Sequence, residues 1–226
     1  MPESLLDNVI WSALTTRQSY MAIGGARARR YPADIAPFMA LDANAPDAFV
    51  EMANLAQPGE TLYLLNATPP IPGPWEIEHE TSVVQMLYTH PKPTAATDAE
   101  AVILGADDVA DMLELTAIAF PEFFRPGTIE MGTYAGIRKD GRLVAMAGER
   151  LYLDGFREIS GICTHPDYRG RGYAQQLTSF MIEGILRQGL TPFLHVGAEN
   201  YGARRVYEKL GFVERQASPT LRLKRT

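Results

Sequence analysis

From residue 169 to residue 174 the chain reads Arg-Gly-Arg-Gly-Tyr-Ala, a run whose residue types and spacing point to a ligand. Gly170 and Gly172 let the main chain approach an anion closely, and a helix starting at this turn would aim its first N–H groups and its dipole at the same spot. Arg169 and Arg171 would add charge-assisted hydrogen bonds, which makes the turn a cradle for a diphosphate. A bare glycine turn with two solvated arginines is the plainer alternative, and the strand-turn-helix setting weighs against it. A dinucleotide fingerprint would need a third glycine where Gln175 stands, and the Gly-Lys-Ser/Thr of a P-loop is absent. Cys163 together with His165 or His195 forms a second constellation, the residue types of a thiol nucleophile and its base. A cysteine inside an apolar strand is more often inert and buried. With one cysteine and four scattered histidines, no metal site is expected.

These side chains need elements to hold them. Asp107 or Asp108 can cap a helix in which Val109, Met112, Leu113, Thr116 and Phe120 recur at helical spacing. Strand-like runs follow at Thr133 to Arg138, Leu143 to Leu153 and Phe156 to Thr164, with Asp140-Gly141 and Asp154-Gly155 as hairpin turns. After the glycine turn, Tyr173, Leu177, Phe180, Met181 and Ile185 share one helical face, and Gly189 closes the helix. A short strand over Pro192 to Val196 leads to a helix from about Asn200 to Leu210, stopped by Gly211, and Phe212 to Leu223 supply the last strands.

The first part of the chain is less explicit. It reads as a helix around Phe38 to Ala56, a strand at Thr61 to Leu65 and a strand at Val83 to Tyr88, with the proline run Pro69 to Pro74 as an extended connection. Residues 89 to 98, rich in proline and small residues, look like a linker, so two domains are expected, 1–97 and 98–226. A length of 226 residues allows one domain or two, since ~150 residues per domain is only a prior. Charge is uneven across the boundary: residues 1 to 98 hold 11 acids and 5 bases, and the remainder holds 16 of each, so the whole net charge of −6 lies in the first part. An acidic chain argues against a nucleic-acid partner. The single cysteine fits a reducing cytoplasm, and neither a leader peptide nor an apolar run of the ~20 residues needed to span a membrane is expected.

Two stretches taken together, Ile162-Cys-Thr-His-Pro-Asp-Tyr-Arg-Gly-Arg-Gly-Tyr-Ala174 and Leu194-His-Val-Gly-Ala-Glu-Asn-Tyr-Gly-Ala-Arg-Arg-Val-Tyr-Glu-Lys-Leu-Gly-Phe212, resemble the diagnostic segments of the GNAT (GCN5-related N-acetyltransferase) superfamily, closest to its FR47-like branch. Arg169, Gly172 and Ala174 match the Arg/Gln-x-x-Gly-x-Gly/Ala pattern. Asn200, Tyr207 and Leu210-Gly-Phe212 match the second segment. The resemblance covers residues 99 to 226. It implies an α/β (α+β) GNAT fold, a central mixed, mostly antiparallel sheet flanked by helices, here with an additional N-terminal α/β domain that could be a degenerate half-copy.

The resemblance further implies a transferase that moves an acetyl group from acetyl-CoA to a primary amine of a small molecule or peptide by direct attack. Pantetheine would pair like an extra strand with Ile162, Cys163 and Thr164. The pyrophosphate would lie on Arg169, Gly170, Arg171, Gly172, Tyr173 and Ala174, and Asn200 would touch the cofactor arm. Tyr207 matches the general acid that protonates the departing thiolate, although Ala203, Val206, Tyr207 and Leu210 also share a helical face as core residues would. The candidate bases for the amine are His195, whose imidazole pKa of ~6.5 suits the task, then Glu158, read as alternating with Ser160, Ile162 and Thr164 on one face, then Glu149. A non-catalytic acyl-CoA sensor is the alternative from another functional class. A homodimer is left open.

Overall fold

A computed structural model describes residues 3–42, 44–45, 47–90 and 100–226. It contains one eleven-stranded sheet in the order β1-β2-β3-β4-β11-β5-β10-β9-β8-β7-β6. The strands before residue 90 are β1 (Ile23–Gly24), β2 (Ala28–Arg30), β3 (Phe38–Leu41), β4 (Thr61–Leu65) and β5 (Trp75–Tyr88), with helices α1 (Val9–Thr15) and α2 (Ala48–Asn54) among them. After residue 100 come β6 (Val102–Leu104), α3 (Val109–Ala119), β7 (Tyr134–Lys139), β8 (Arg142–Leu153), β9 (Phe156–Thr164), α4 (Tyr173–Arg187), β10 (Thr191–Gly197), α5 (Tyr201–Leu210) and β11 (Phe212–Arg225). Most pairings are antiparallel; β3 with β4 and β9 with β10 are parallel.

Strand residues alternate between the two faces, so neighbours on β8 and β10 report which helices cover which side. Ala147, Ile159 and Leu194 join Leu177, Met181, Ile182 and Ile185 of α4 and Leu210 of α5 in one core cluster. Tyr134, Met146 and Cys163 pack with Met112 and Leu115 of α3, while Leu151, Leu153 and Phe193 pack with Val9, Ile10 and Leu14 at α1. Helices α4 and α5 therefore cover one face, and α1 and α3 the other. The buried positions 177, 181, 182 and 185 of α4 follow the i, i+4, i+5, i+8 stripe of an amphipathic helix. Each fully buried aliphatic side chain in that stripe stabilises the fold by roughly 1.5–3 kcal/mol.

The helix expected around Phe38 to Ala56 divides. Phe38–Leu41 is a strand, because it has partners on both sides, β2 antiparallel and β4 parallel, and α2 begins only at Ala48. A four-residue apolar run carries too little periodicity to separate strand from helix, and pairing decides it. The last strands expected over Phe212 to Leu223 are one strand, irregular at Glu214/Gln216. The boundary expected at residue 97 lies outside the described residues. On either side of it the sheet is continuous: β5 lies between β10 and β11, paired from Phe193–Leu87 to Gly197–Val83 on one edge and from Phe212–Tyr88 to Arg225–Trp75 on the other. Among the described residues, no helix is long and apolar enough to cross a membrane.

Candidate active site

β9 and β10 pair only through Phe156–Thr191, Arg157–Pro192 and Glu158–Phe193. Beyond that point β10 runs on to Gly197 against β5, and β9 runs on to Thr164 against β8. The two strands part into a V, and its β9 wall carries Ile162, Cys163 and Thr164. A bulge at Gly161, with φ of +63°, shifts the β8–β9 register between Met146 and Gly148 and turns the strand at this wall. The bulge also breaks the alternation expected from Glu158 through Thr164. Glu158 meets Arg150 and His195, and Cys163 packs on the α3 face, whereas Ile162 packs against the α4 cluster.

Where β9 ends, His165 and a short 3-10 turn lead into the glycine segment. Gly170 and Gly172 sit at φ of +77° and +79°, conformations that an L side chain rarely adopts, and Gly172 is the N-cap of α4. Gln176 N donates to Gly172 O, so the amides of Tyr173, Ala174 and Gln175 come too early in the helix to find a carbonyl within it. Arg169 and Arg171 are exposed beside them, with the Arg171 guanidinium 4.9 Å from the centre of the Tyr168 ring. The elements needed for a phosphate cradle, a left-handed turn, helix-start amides and two cations, are thus together.

Asn200 caps α5, its Oδ1 accepting from Ala203 N at 3.1 Å. Tyr207, about two turns further along, is 7% exposed and lies edge-on to Phe212 at 6.2 Å in the cluster that borders Ile159 and Ile162. Burial pushes its phenol up to about 12, so the hydroxyl stays protonated through the physiological range. Burial likewise pushes the Cys163 thiol up to about 12, against the smaller lowering effect of a hydrogen bond from the Met146 backbone. That leaves Cys163 a neutral core side chain among Met112, Leu115 and Met146 and removes the thiol-nucleophile reading.

The three candidate bases are all engaged. Glu158, fully buried at the apex of the V, accepts from Arg150 Nε and Nη2 and is joined to His195 Nδ1, each at 2.7 Å. Burial alone would raise its pKa, but the Arg150 charge, the hydrogen bonds and His195 outweigh it and hold the carboxyl near about 2. His195 Nε2 lies 3.2 Å from Gln85 Nε2. That amide is oriented by its other contacts, because Gln85 Nε2 donates to Leu6 O at 3.0 Å and its Oε1 accepts from Arg215 Nη1 at 3.0 Å. Gln85 therefore donates to His195, which must carry its proton on Nδ1 and point it at Glu158, so both ring nitrogens are in use. Glu149 accepts from Thr133 N at 3.1 Å and Arg157 Nε at 3.0 Å, within a buried pair that also ties Arg157 to Met131 O.

Beside Ser160 and Gly161, on the α3 face, lies a shallow open cleft lined by Phe120, Phe123, Phe124, Thr128, Tyr134 and Arg150. None of these six residues was anticipated as part of a site. The available signal was Phe120-Pro-Glu-Phe-Phe-Arg-Pro-Gly127, three aromatic residues in a proline-bounded loop between a helix and a strand. The first part of the chain fixes that loop. Gly127 N donates to Asp34 O at 2.8 Å, Thr128 Oγ1 to Ile35 O at 2.6 Å and Arg125 Nη1 to Ala33 O at 3.0 Å. Glu122 stands at φ of +84° and accepts from Tyr63 Oη at 2.6 Å and from Arg222 Nη1 at 2.9 Å.

A family model described as FR47-like protein matches residues 134–221. A crystal structure assigned to the GNAT acetyltransferase family, from Novosphingobium aromaticivorans DSM 12444, is 36% identical over 98% of this chain and 98% of its own, with a TM-score of 0.90. A GCN5-related N-acetyltransferase from Kribbella flavida is 16% identical over 96% of this chain and 94% of its own at a TM-score of 0.59. A GCN5-related N-acetyltransferase-like protein from Streptococcus suis 89/1591 is 15% identical over 95% and 93% at 0.58; at such identities these two speak for the fold alone. No curated protein matches the chain.

Proposed function

The chain belongs to the GNAT superfamily, in its FR47-like branch, and from that premise we propose that it is an acyltransferase that moves an acetyl group from acetyl-CoA to a primary amine of a small molecule or peptide. The observation that carries the reading is the parting of β9 and β10 with a glycine-arginine turn where β9 ends. An open strand edge suits an extended chain of amides, and the helix-start amides with Arg169 and Arg171 suit a diphosphate, so the residues present fit acetyl-CoA. Ile162, Cys163 and Thr164 would hold its arm through their main chain, Arg169 through Ala174 its diphosphate, and Asn200 the arm from the opposite wall. When bound, the co-substrate supplies an activated acetyl group and a thiol leaving group.

Tyr207 Oη is the proton source for the departing sulfur. From a phenol at about 12 to a thiolate of ordinary pKa ~8.5, the transfer costs about 5 kcal/mol. A thiolate leaving in a partly buried site is itself poorly solvated, which raises its own pKa and narrows the difference. His195 and Glu158 position rather than accept. Their contact ties β10 to β9 at the apex of the V, both ring nitrogens of His195 are engaged, and the Glu158 carboxylate is held by Arg150 and His195 at a low pKa that makes it a weak base. The amine therefore reacts from its free-base fraction.

The test is steady release of thiol from acetyl-CoA in the presence of amines, compared with Tyr207→Phe. Turnover in the variant should fall by about 10²–10⁴-fold, with the acetyl-CoA dissociation constant within about twofold of the original. Stabilisation by CoA with no amine-dependent thiol release would make the protein a sensor instead, and undiminished turnover in Tyr207→Phe would remove its role as acid.

A further inference from the structure

The cleft beside Ser160 and Gly161 lies on the strand that would carry the acetyl donor, and its walls are unusual in composition. Phe120, Phe123 and Phe124 are half-buried, each leaving ring surface uncovered although the protein folds around them. They form a linked set: Phe120 and Phe123 are stacked with centres 5.3 Å apart, Phe123 and Phe38 are stacked at 6.0 Å, and Phe124 meets Tyr134 edge-on at 5.6 Å. The set is held rigidly. Tyr63 lies 4.8 Å from Phe123, and its hydroxyl, with Arg222, holds the carboxylate of Glu122, the residue before Phe123. A residue other than glycine at φ of +84° is costly, and such strain persists where surrounding contacts over-determine a site.

Charge in the cleft narrows the ligand further. Arg150 is the one charged side chain among the lining residues, and its charge is matched by the bidentate Glu158. A polyamine would find no carboxylate there for its second ammonium, since Glu122 is directed at Tyr63 and Arg222. A carboxylate-bearing acceptor would meet a guanidinium already paired. What the cleft offers is the uncovered aromatic surface of Phe120, Phe123 and Phe124, against which another ring can pack.

Resting on the acetyl-transfer reading above, we propose that the acceptor is an arylalkylamine. Its ring lies against the uncovered surface of Phe120, Phe123 and Phe124, and its amino group points toward Ser160 and Gly161. The acidic first part of the chain then has a function in this reaction: through Asp34, Ile35, Tyr63 and the strand carrying Phe38 it builds the wall that selects the acceptor.

The experiment compares kcat/KM for 2-phenylethylamine, ethylamine and spermidine with acetyl-CoA, in the native protein and in Phe120→Ala and Phe124→Leu, with the rise in melting temperature on adding CoA measured in each as the check on folding. The expected result is a preference of about 100-fold or more for 2-phenylethylamine over both other amines, reduced at least tenfold in each variant that still melts higher with CoA. Calorimetric titration of 2-phenylethylamine alone, expected to show binding that Phe120→Ala weakens, examines the cleft independently of turnover. Acetyl transfer with equal rates for ethylamine and 2-phenylethylamine, or with spermidine preferred, overturns the acceptor assignment and leaves the transferase standing. No CoA stabilisation and no thiol release with any amine overturns both.

Discussion

Replacing Glu158 by glutamine removes the charge at the centre of a buried polar network while keeping the shape of the side chain. The carboxyl is held near about 2 from an ordinary 4.5, a displacement worth roughly 3 kcal/mol in favour of the folded state. Because the folded pKa is the lower one, that stabilisation is complete above pH 4.5 and drains away as the pH falls from there toward 2. The substitution also leaves Arg150, whose side chain is 14% exposed, without its counter-charge, and breaking a buried pair from one side costs about 3–5 kcal/mol. Urea unfolding at pH 7 should therefore place Glu158→Gln about 3–5 kcal/mol below the native protein. Linkage then shrinks the gap as acid is added, because the unfolded native chain takes up a proton the variant cannot: about 1 kcal/mol of the difference should be gone by pH 3.5. A gap that stays constant from pH 7 to 3.5 would refute the claim that this carboxylate is held ionised. A variant as stable as the native protein but inactive would refute the positioning role and return Glu158 to the chemistry.

Other consequences are open to measurement. With His195, Glu158 and Glu149 all engaged, kcat/KM should climb about tenfold per pH unit from pH 6 to 9 and flatten only at the amine's own pKa; an inflection between 6 and 7 would bring His195 back as a base. Arg169→Ala and Arg171→Ala should each raise the acetyl-CoA dissociation constant about tenfold or more without altering the melting temperature of the free protein, and calorimetry showing both unchanged would remove the cradle. Cys163→Ala should keep its turnover and lose about 1–2 kcal/mol of stability, since the thiol is a neutral packing group; an inactive but well-folded variant would contradict that.

Legibility in the sequence followed the range of the interactions involved. The β7–β8 hairpin was readable because Asp140 and Gly141 occupy φ of +51° and +81°, the paired left-handed turn that an Asp-Gly dipeptide announces locally. Gly211 at φ of +103° ends α5 for the same kind of reason. The residues matched to the phosphate turn, and the helix that follows it, were likewise contiguous in sequence. What stayed hidden was long-range. Nothing near Val83 to Tyr88 says that this strand enters between two others more than a hundred residues later, and nothing near Phe120 to Gly127 says that Tyr63 and Asp34 will brace that loop. The bulge at Gly161 separated Glu158 from Ile162 and Thr164, and strict alternation cannot foresee the step. His195 kept its place on the strand, but its second partner, Gln85, arrives from the far side of the proline-rich segment.

The position of β11 sets a timetable for the whole sheet. β4 has β3 on one side and β11 on the other, and β5 is bordered by β10 and β11. The second edge of β4 and both edges of β5 thus acquire their neighbours only after the ribosome has added strands that begin more than a hundred residues later. Until then β4 and β5 present bare edges, and β5 carries the apolar Val84, Met86 and Tyr88 that will later be covered by α4 and α5. Maturation of this protein should therefore be late and all at once, with the acidic segment waiting on the ribosome for its partners. A chain stopped before Phe212 would emerge as an aggregating fragment rather than as a smaller working enzyme.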